Sequence, residues 1–268
     1  MKKLFARLYL GLILLMLYAP LIFIAVSSFT ESRVLGNWTG FSTKLYSNLF
    51  SGEMSNSGLM SAVNNTLLIA LIAALVSTLL GTLAAIGIFH SRGRRKNVVM
   101  FLNNIPMVNP DVITGVSLFL LFVFLGVTQG YVSVVLAHIT FCTPYVVLNV
   151  LPKLHQMNPK TYEAALDLGA TPGQALRKVL IPQLMPGMVT GFILAFTMSL
   201  DDFAVTFFTR GTVGLETLST FIYTDARKGG LTPELRPLMT IIFIVVFALL
   251  LIFNIRQERA AKKKALLK

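Results

Sequence analysis

The chain is short of charge. Asp, Glu, Lys and Arg make up 13% of its 268 residues, about half of what a soluble domain carries, and that excludes an ordinary soluble globule. Cysteine is scarcer still. Cys142 stands alone, so no internal disulfide can form and the redox compartment is left open. No Walker-type glycine-rich loop occurs, which excludes ATP hydrolysis by this chain itself. No stretch reads as a soluble domain, because the longest connections between apolar runs are about 30 residues. No metal or other cofactor is expected on the chain.

What is abundant is apolar residues, 55% of the chain, gathered into long runs rather than alternating or amphipathic patterns. A bilayer core roughly 30 Å thick demands about 20 such residues per helix. The fold class is therefore an all-α membrane protein. About six spans are expected, near 8–28, 62–89, 105–125, 131–151, 187–208 and 237–255, with a loop at 152–186 and the whole chain 1–268 as one transmembrane domain. Lys2, Lys3 and Arg7 ahead of the run from Leu8 to about Ser28 resemble a signal peptide. The run exceeds the usual signal core of about 7–15 residues and no A-x-A site follows, so an uncleaved first helix is expected.

The formal charge is +12. Its distribution excludes nucleic acid as the reason, because the basic residues flank apolar runs as topogenic signals do. With the N-terminus inside, seventeen Lys and Arg fall on the cytoplasmic side. Six fall outside: Arg33, Lys44, Arg210, Arg227, Lys228 and Arg236. Both termini are expected in the cytoplasm, with the basic tail against lipid. Two spans carry small residues at four-residue spacing, Ala73, Ser77, Gly81 and Ala85 in one and Gly187, Gly191, Ala195 and Ser199 in the other. Such stripes let helix backbones approach closely, within the subunit or against a partner.

Between the fourth and fifth spans the pattern is helix, break, helix. Asn158 is placed to cap a first helix with Pro159 at its first position, and Gly169 to stop it. Thr171 is placed to cap a second, with Pro172 at its first position and Gln174 completing a capping box. Pro182 and Pro186 are expected to end that segment. A capped helix of this kind suits being pushed as a rigid body by another protein. From patterning alone an interfacial amphipathic helix fits equally.

Asp111, Asp201 and Asp202 are acids at membrane depth, and such residues mark pathways. Asp111 at a helix start is also favoured by the dipole alone, and the pair lies near enough to the outer surface to be solvated. Adjacent positions point about 100° apart, so Asp201 and Asp202 cannot both face a pathway equally. Three carboxylates without matching intramembrane cations imply a cationic solute and exclude a hydrated anion. Trp38 fits either cation–π attraction or an interfacial anchor. An intramembrane enzyme is disfavoured, because His138 and Ser133 lack a partner set and His90 falls in a basic loop.

The loop residues Glu163-Ala164-Ala165, Gly169 and Val179-Leu180-Ile181-Pro182 resemble the EAA loop of ABC importer permeases, with Val and Ile at two positions where that motif has Ile and Leu. Across nearly the whole chain the sequence is similar to spermidine/putrescine permeases of the PotC type. The matching segments are Asn37-Trp38-x-Gly40-Phe41, Pro110-Asp111, His138 to Cys142, and Ser199-Leu200-Asp201-Asp202. The resemblance implies a MetI-like type I importer fold and a coupling helix (Glu163, Ala164, Ala165, Asp167, Gly169, with Pro182 closing the motif) docking on an ATPase. It further implies a homologous second permease forming a heterodimer, two ATPase subunits that use the ATP and Mg, and an external binding protein delivering polyamine. The place implied is a bacterial plasma membrane. Permeation of another cation such as ferric ion is the alternative within this class. A proton-coupled secondary transporter is the alternative outside it, and would leave the capped loop unexplained.

Overall fold

The computed structural model describes residues 2–32, 34, 36–51, 58–158, 160–212 and 214–266. Pro159, expected to open the first loop helix, lies outside them, as do Arg33 and Lys268 of the charge count. Among the described residues all regular structure is helical. The chain forms two compact units, Met1–Gly58 with Thr224–Lys268, and Leu59–Tyr223.

In the first unit the long helices α1 (Lys2–Ser27) and α12 (Leu235–Leu266) pack on each other, and α12 also meets the short α2 (Lys44–Phe50). Tyr18 lies 6.5 Å from Phe243, ring centre to ring centre. Arg236 donates from Nη1 to the Ser32 carbonyl at 2.8 Å, and the Ser28 and Tyr46 hydroxyls meet at 2.7 Å. α1 is apolar all round and almost none of it is covered by the rest of the chain, as suits a helix whose solvent is lipid.

The second unit holds the core. α3 (Leu59–His90), α6 (Tyr131–Gln156) and α9 (Ile181–Asp201) pack mutually, with α6 central. Both small-residue stripes face α6. A Cβ at Gly81 would stand 2.7 Å from Val146 Cβ, and one at Gly191 3.2 Å from Val146 Cγ1. At Gly187 it would meet Lys153 Cγ at 2.8 Å and the Asn149 carbonyl at 3.0 Å. The stripes therefore pack inside this subunit, bringing three backbones together without a hydrophobic driving force.

Among the described residues, four helical stretches are long and apolar enough to cross a membrane: Arg7–Ser27, Leu59–His90, Tyr131–Gln156 and Pro172–Asp201. Each of the six expected runs overlaps one of these or one of two further elements, a bent pair and the shorter apolar stretch Leu235–Ala248 of α12. Three expectations need correction. The third span is two helices, α4 (Gly93–Val108) and α5 (Asp111–Phe124), meeting at 111°. Pro110 lacks an N–H and forces Asn109 to an extended ψ of 135°, so the helix cannot continue. Secondly, the fifth span stops at Asp201 and restarts as α10 (Ala204–Thr209), where a single helix to 208 was expected.

Thirdly, Pro182 and Pro186 do not end the loop's second helix. α8 (Pro172–Ala175) runs through a π-turn at Leu176–Leu180 directly into α9, with both prolines inside the continuous helix. The widened π-turn supplies the slack that a proline ring needs against the preceding turn.

Candidate functional site

The two helix breaks meet. α5 packs on α10 because Gly115 leaves room: a Cβ there would lie 3.0 Å from the Ala204 carbonyl. This brings the first residue of α5, Asp111, into one cavity of about 340 Å³ with Asp201 and Asp202, walled by Phe141, Met198 and Phe203. The structure thus unites three of the four acids and aromatics expected to serve the solute. Trp38 belongs to the first unit, 54% exposed in the segment before α2.

The three carboxylates are not equivalent. Asp111 and Asp201 are exposed, and neither forms an ion pair among the described residues. Asp202 is held inside, its side chain 6% exposed. Its Oδ1 accepts the Val205 N–H at 3.2 Å, while Oδ2 accepts the Thr206 N–H and hydroxyl, both at 2.8 Å. These bonds cap the first turn of α10. Oδ2 also lies 3.4 Å from His138 Nε2. The Asp202 carbonyl accepts from the Ser219 hydroxyl at 2.5 Å. Acceptor sites filled by the protein are not open to a solute.

His138 was expected to lack partners and has three. Its ring is wholly buried on α6, with Nδ1 2.6 Å from Ser199 Oγ and Nε2 2.9 Å from Thr206 Oγ1. Since the Thr206 hydroxyl donates to Asp202, its oxygen accepts from Nε2–H, and in the neutral ring Nδ1 accepts from Ser199. The chain of donors runs Ser199, His138, Thr206, Asp202. Serine, histidine and aspartate here are packed shut, so their arrangement is structural. A polar residue in mid-span was the signal in the sequence; its partners, 61 and 68 residues away, were not.

Electrostatically the cavity favours cations. Two unpaired carboxylates face it, and α9 ends there with its last carbonyls, the negative end of the helix dipole. Discontinuous helices that bring free backbone groups to membrane depth are a recurring way of building solute sites.

The loop at 152–186 folds largely as its capping residues require. α7 (Lys160–Asp167) begins where Asn158 Oδ1 accepts the Lys160 N–H at 3.1 Å. It ends in a Schellman motif at Gly169, φ +86°, with Ala170 N–H bonded to the Ala165 carbonyl at 3.0 Å and Gly169 N–H to Leu166 at 2.9 Å. The expected capping box is present: Thr171 Oγ1 accepts the Gln174 N–H at 3.3 Å and Gln174 Oε1 the Thr171 N–H at 3.1 Å. No residue of α7 is buried. Glu163, Ala164, Asp167 and Gly169 are exposed, Ala165 is half-buried, and Pro182 is exposed on the following helix. Leu168, which the sequence did not single out, is 88% exposed. Behind α7, Tyr162 and Glu163 line a cavity of about 320 Å³ with Phe89 and His90 from the end of α3 and Arg92 just before α4.

The sequence of the family described as "Binding-protein-dependent transport system inner membrane component" matches residues 77–265. Over 229 residues the chain is 38% identical to the spermidine/putrescine transport system permease protein PotC of Escherichia coli (strain K12), covering 85% of this chain and 84% of that one. It is 37% identical over 233 residues to the putrescine transport system permease protein PotI of the same organism, covering 84% and 81%. Among solved structures, a chain of a bacterial ABC transporter involved in alginate import superposes with a TM-score of 0.66 at 17% identity, covering 96% of this chain and 95% of that one. A chain of the inward-facing MetNI methionine transporter gives 0.60 at 20% identity, covering 78% and 98%. The fold is thus that of ABC importer permeases, and with its apolar helices, capped loop and acid-lined helix breaks this chain belongs to the binding-protein-dependent transport system inner membrane components.

Proposed function

We propose that this subunit forms half of the membrane pathway of an ATP-driven polyamine importer, and that Asp111 and Asp201 receive the solute's ammonium groups. The observation that carries the reading is the cavity at the two helix breaks, where two exposed carboxylates stand without a cationic partner among the described residues. A flexible organic cation bearing several amines satisfies both. The similarity to PotC and PotI supports the same solute class. Asp202 shapes the cavity wall while its oxygens stay engaged within the protein. Trp38, exposed in the first unit, meets solute or lipid headgroups at the outer surface.

The whole chain acts as a single permease domain of the bacterial plasma membrane, with both termini in the cytoplasm. It pairs with a homologous permease to complete the pathway. An external binding protein delivers the solute. Two ATPase subunits bind the ATP and Mg, and this chain binds no cofactor. Glu163, Ala164, Ala165, Asp167 and Gly169 present α7 to an ATPase groove. The π-turn and Pro182 carry its displacement into α9, which is continuous with the loop. ATPase closure then tilts α9 as a rod and changes the cavity at its other end.

The test is uptake of radiolabelled spermidine and putrescine by cells carrying the full transporter, with ferric ion as a second solute. Energised polyamine uptake that needs the co-expressed ATPase supports the reading. Uptake that persists without the ATPase would point to a secondary transporter, and uptake of iron alone would replace the solute.

A further inference from the structure

We propose that His138 is a positioning residue for transport: by joining Ser199 at the end of α9 to Thr206 and Asp202 at the start of α10, it sets the break from which Asp201 faces Asp111. The inference rests on Asp111 and Asp201 being the solute's carboxylates.

The geometry gives His138 a role that packing alone does not require. A wholly buried imidazole is costly unless both nitrogens are satisfied. Here each nitrogen reaches a different helix, at 2.6 Å to α9 and 2.9 Å to α10. Asp202 is thereby drawn inward at the residue where α9 stops. Neighbouring residues at a helix end diverge by about 100°, so fixing Asp202 inward turns Asp201 outward into the cavity. The far end of α10 is anchored separately, where the Ser133 hydroxyl bonds the Thr209 carbonyl at 2.8 Å. At the near end the Ser219 hydroxyl holds the Asp202 carbonyl, and His138 adds the link between α9 and α10. A leucine there would keep most of the volume and lose both links, freeing the break to change its dihedral angles.

Position is read directly by thiol labelling. Cys142 is buried and is the chain's one cysteine, so in a Cys142→Ser background Asp201→Cys becomes a single reporter. The full transporter is expressed in cells, and the rate of labelling by a cationic methanethiosulfonate reagent is measured in membranes. His138→Leu is expected to change that rate by about fivefold or more. His138→Gln, which keeps a donor near the Nε2 position, is expected to restore it to within about twofold. His138→Leu alone strips a buried carboxylate of a partner and can misfold, so His138→Leu with Asp202→Asn, which removes the charge as well, is measured beside it. A labelling rate unchanged in both leucine variants overturns the proposal, as does a rate that His138→Gln fails to restore. Uptake by Asp201→Asn, measured separately, judges the solute reading. If that variant transports normally, the solute reading falls while the labelling still decides what His138 does.

Discussion

The two ends of α9 are held by different kinds of partner. At the leading end, the helix that flows into α9 is started by residues three apart, Thr171 and Gln174, whose side chains bond each other's backbones. At the trailing end, Ser199 and Thr206 are bound by His138, 61 and 68 positions away. The local caps at Thr171 and Gln174 survive a rigid-body movement of that end, while Ala175, Leu180 and Leu184 pack it into the core. An end tied to the central helix moves only by taking that helix along or by breaking buried hydrogen bonds. The difference lies in the polar ties, local at the leading end and long-range at the trailing end.

The contrast is broken most severely at the trailing end. Asp201→Asn or Asp111→Asn is expected to cut polyamine uptake by about tenfold or more, equivalent to at least 1.4 kcal/mol, while the ATPase still co-purifies. Uptake at the wild-type level in both would strip the cavity of its assigned role. Asp202→Asn is expected to act on the fold, because an amide leaves donors of Val205 and Thr206 poorly met. A loss of about 1–3 kcal/mol should appear as a lower melting temperature of the purified complex, and an unchanged melting curve would count against Asp202 as an anchor.

Substitutions at the leading end should be milder. Gly169→Ala places a Cβ at φ +86°, which costs about 1–2 kcal/mol and loosens the end of α7. The expected readout is weaker stimulation of ATPase activity by loaded binding protein, with the assembly intact. Thr171→Ala removes one cap, costing about 1 kcal/mol. Hydrogen exchange should rise at Pro172–Leu180 and stay unchanged at Ala204–Thr209. Exchange rising equally at both places would mean that the two ends are one cooperative unit, and the contrast would fail.

Much of the fold was legible because its causes are local. Long apolar runs marked the membrane helices, and Asn158, Gly169, Thr171 and Gln174 marked the loop's boundaries through bonds to neighbours only a few residues away. The glycine stripes announced close packing, though not its partner. The prolines misled at Pro182 because a π-turn absorbs the ring, and that turn has no strong residue signature. Pro110 made a sharper break than its place at a span boundary suggested, 111° rather than the start of a straight helix.

The acids show where sequence stops being informative. Asp111, Asp201 and Asp202 were visible as anomalies, since ionised groups at membrane depth demand a reason. By itself the sequence determined the class of protein, the loop and which residues needed explaining, because hydrophobic length, capping and charge cost act within a few residues. The tertiary structure decided that α6 is the common partner of both small-residue stripes. It also decided that the two helix breaks share a cavity, and that Asp202 is spent on α10 and His138 while Asp201 stays free. Those outcomes depend on which surfaces meet across long separations in the chain, and no local propensity encodes them.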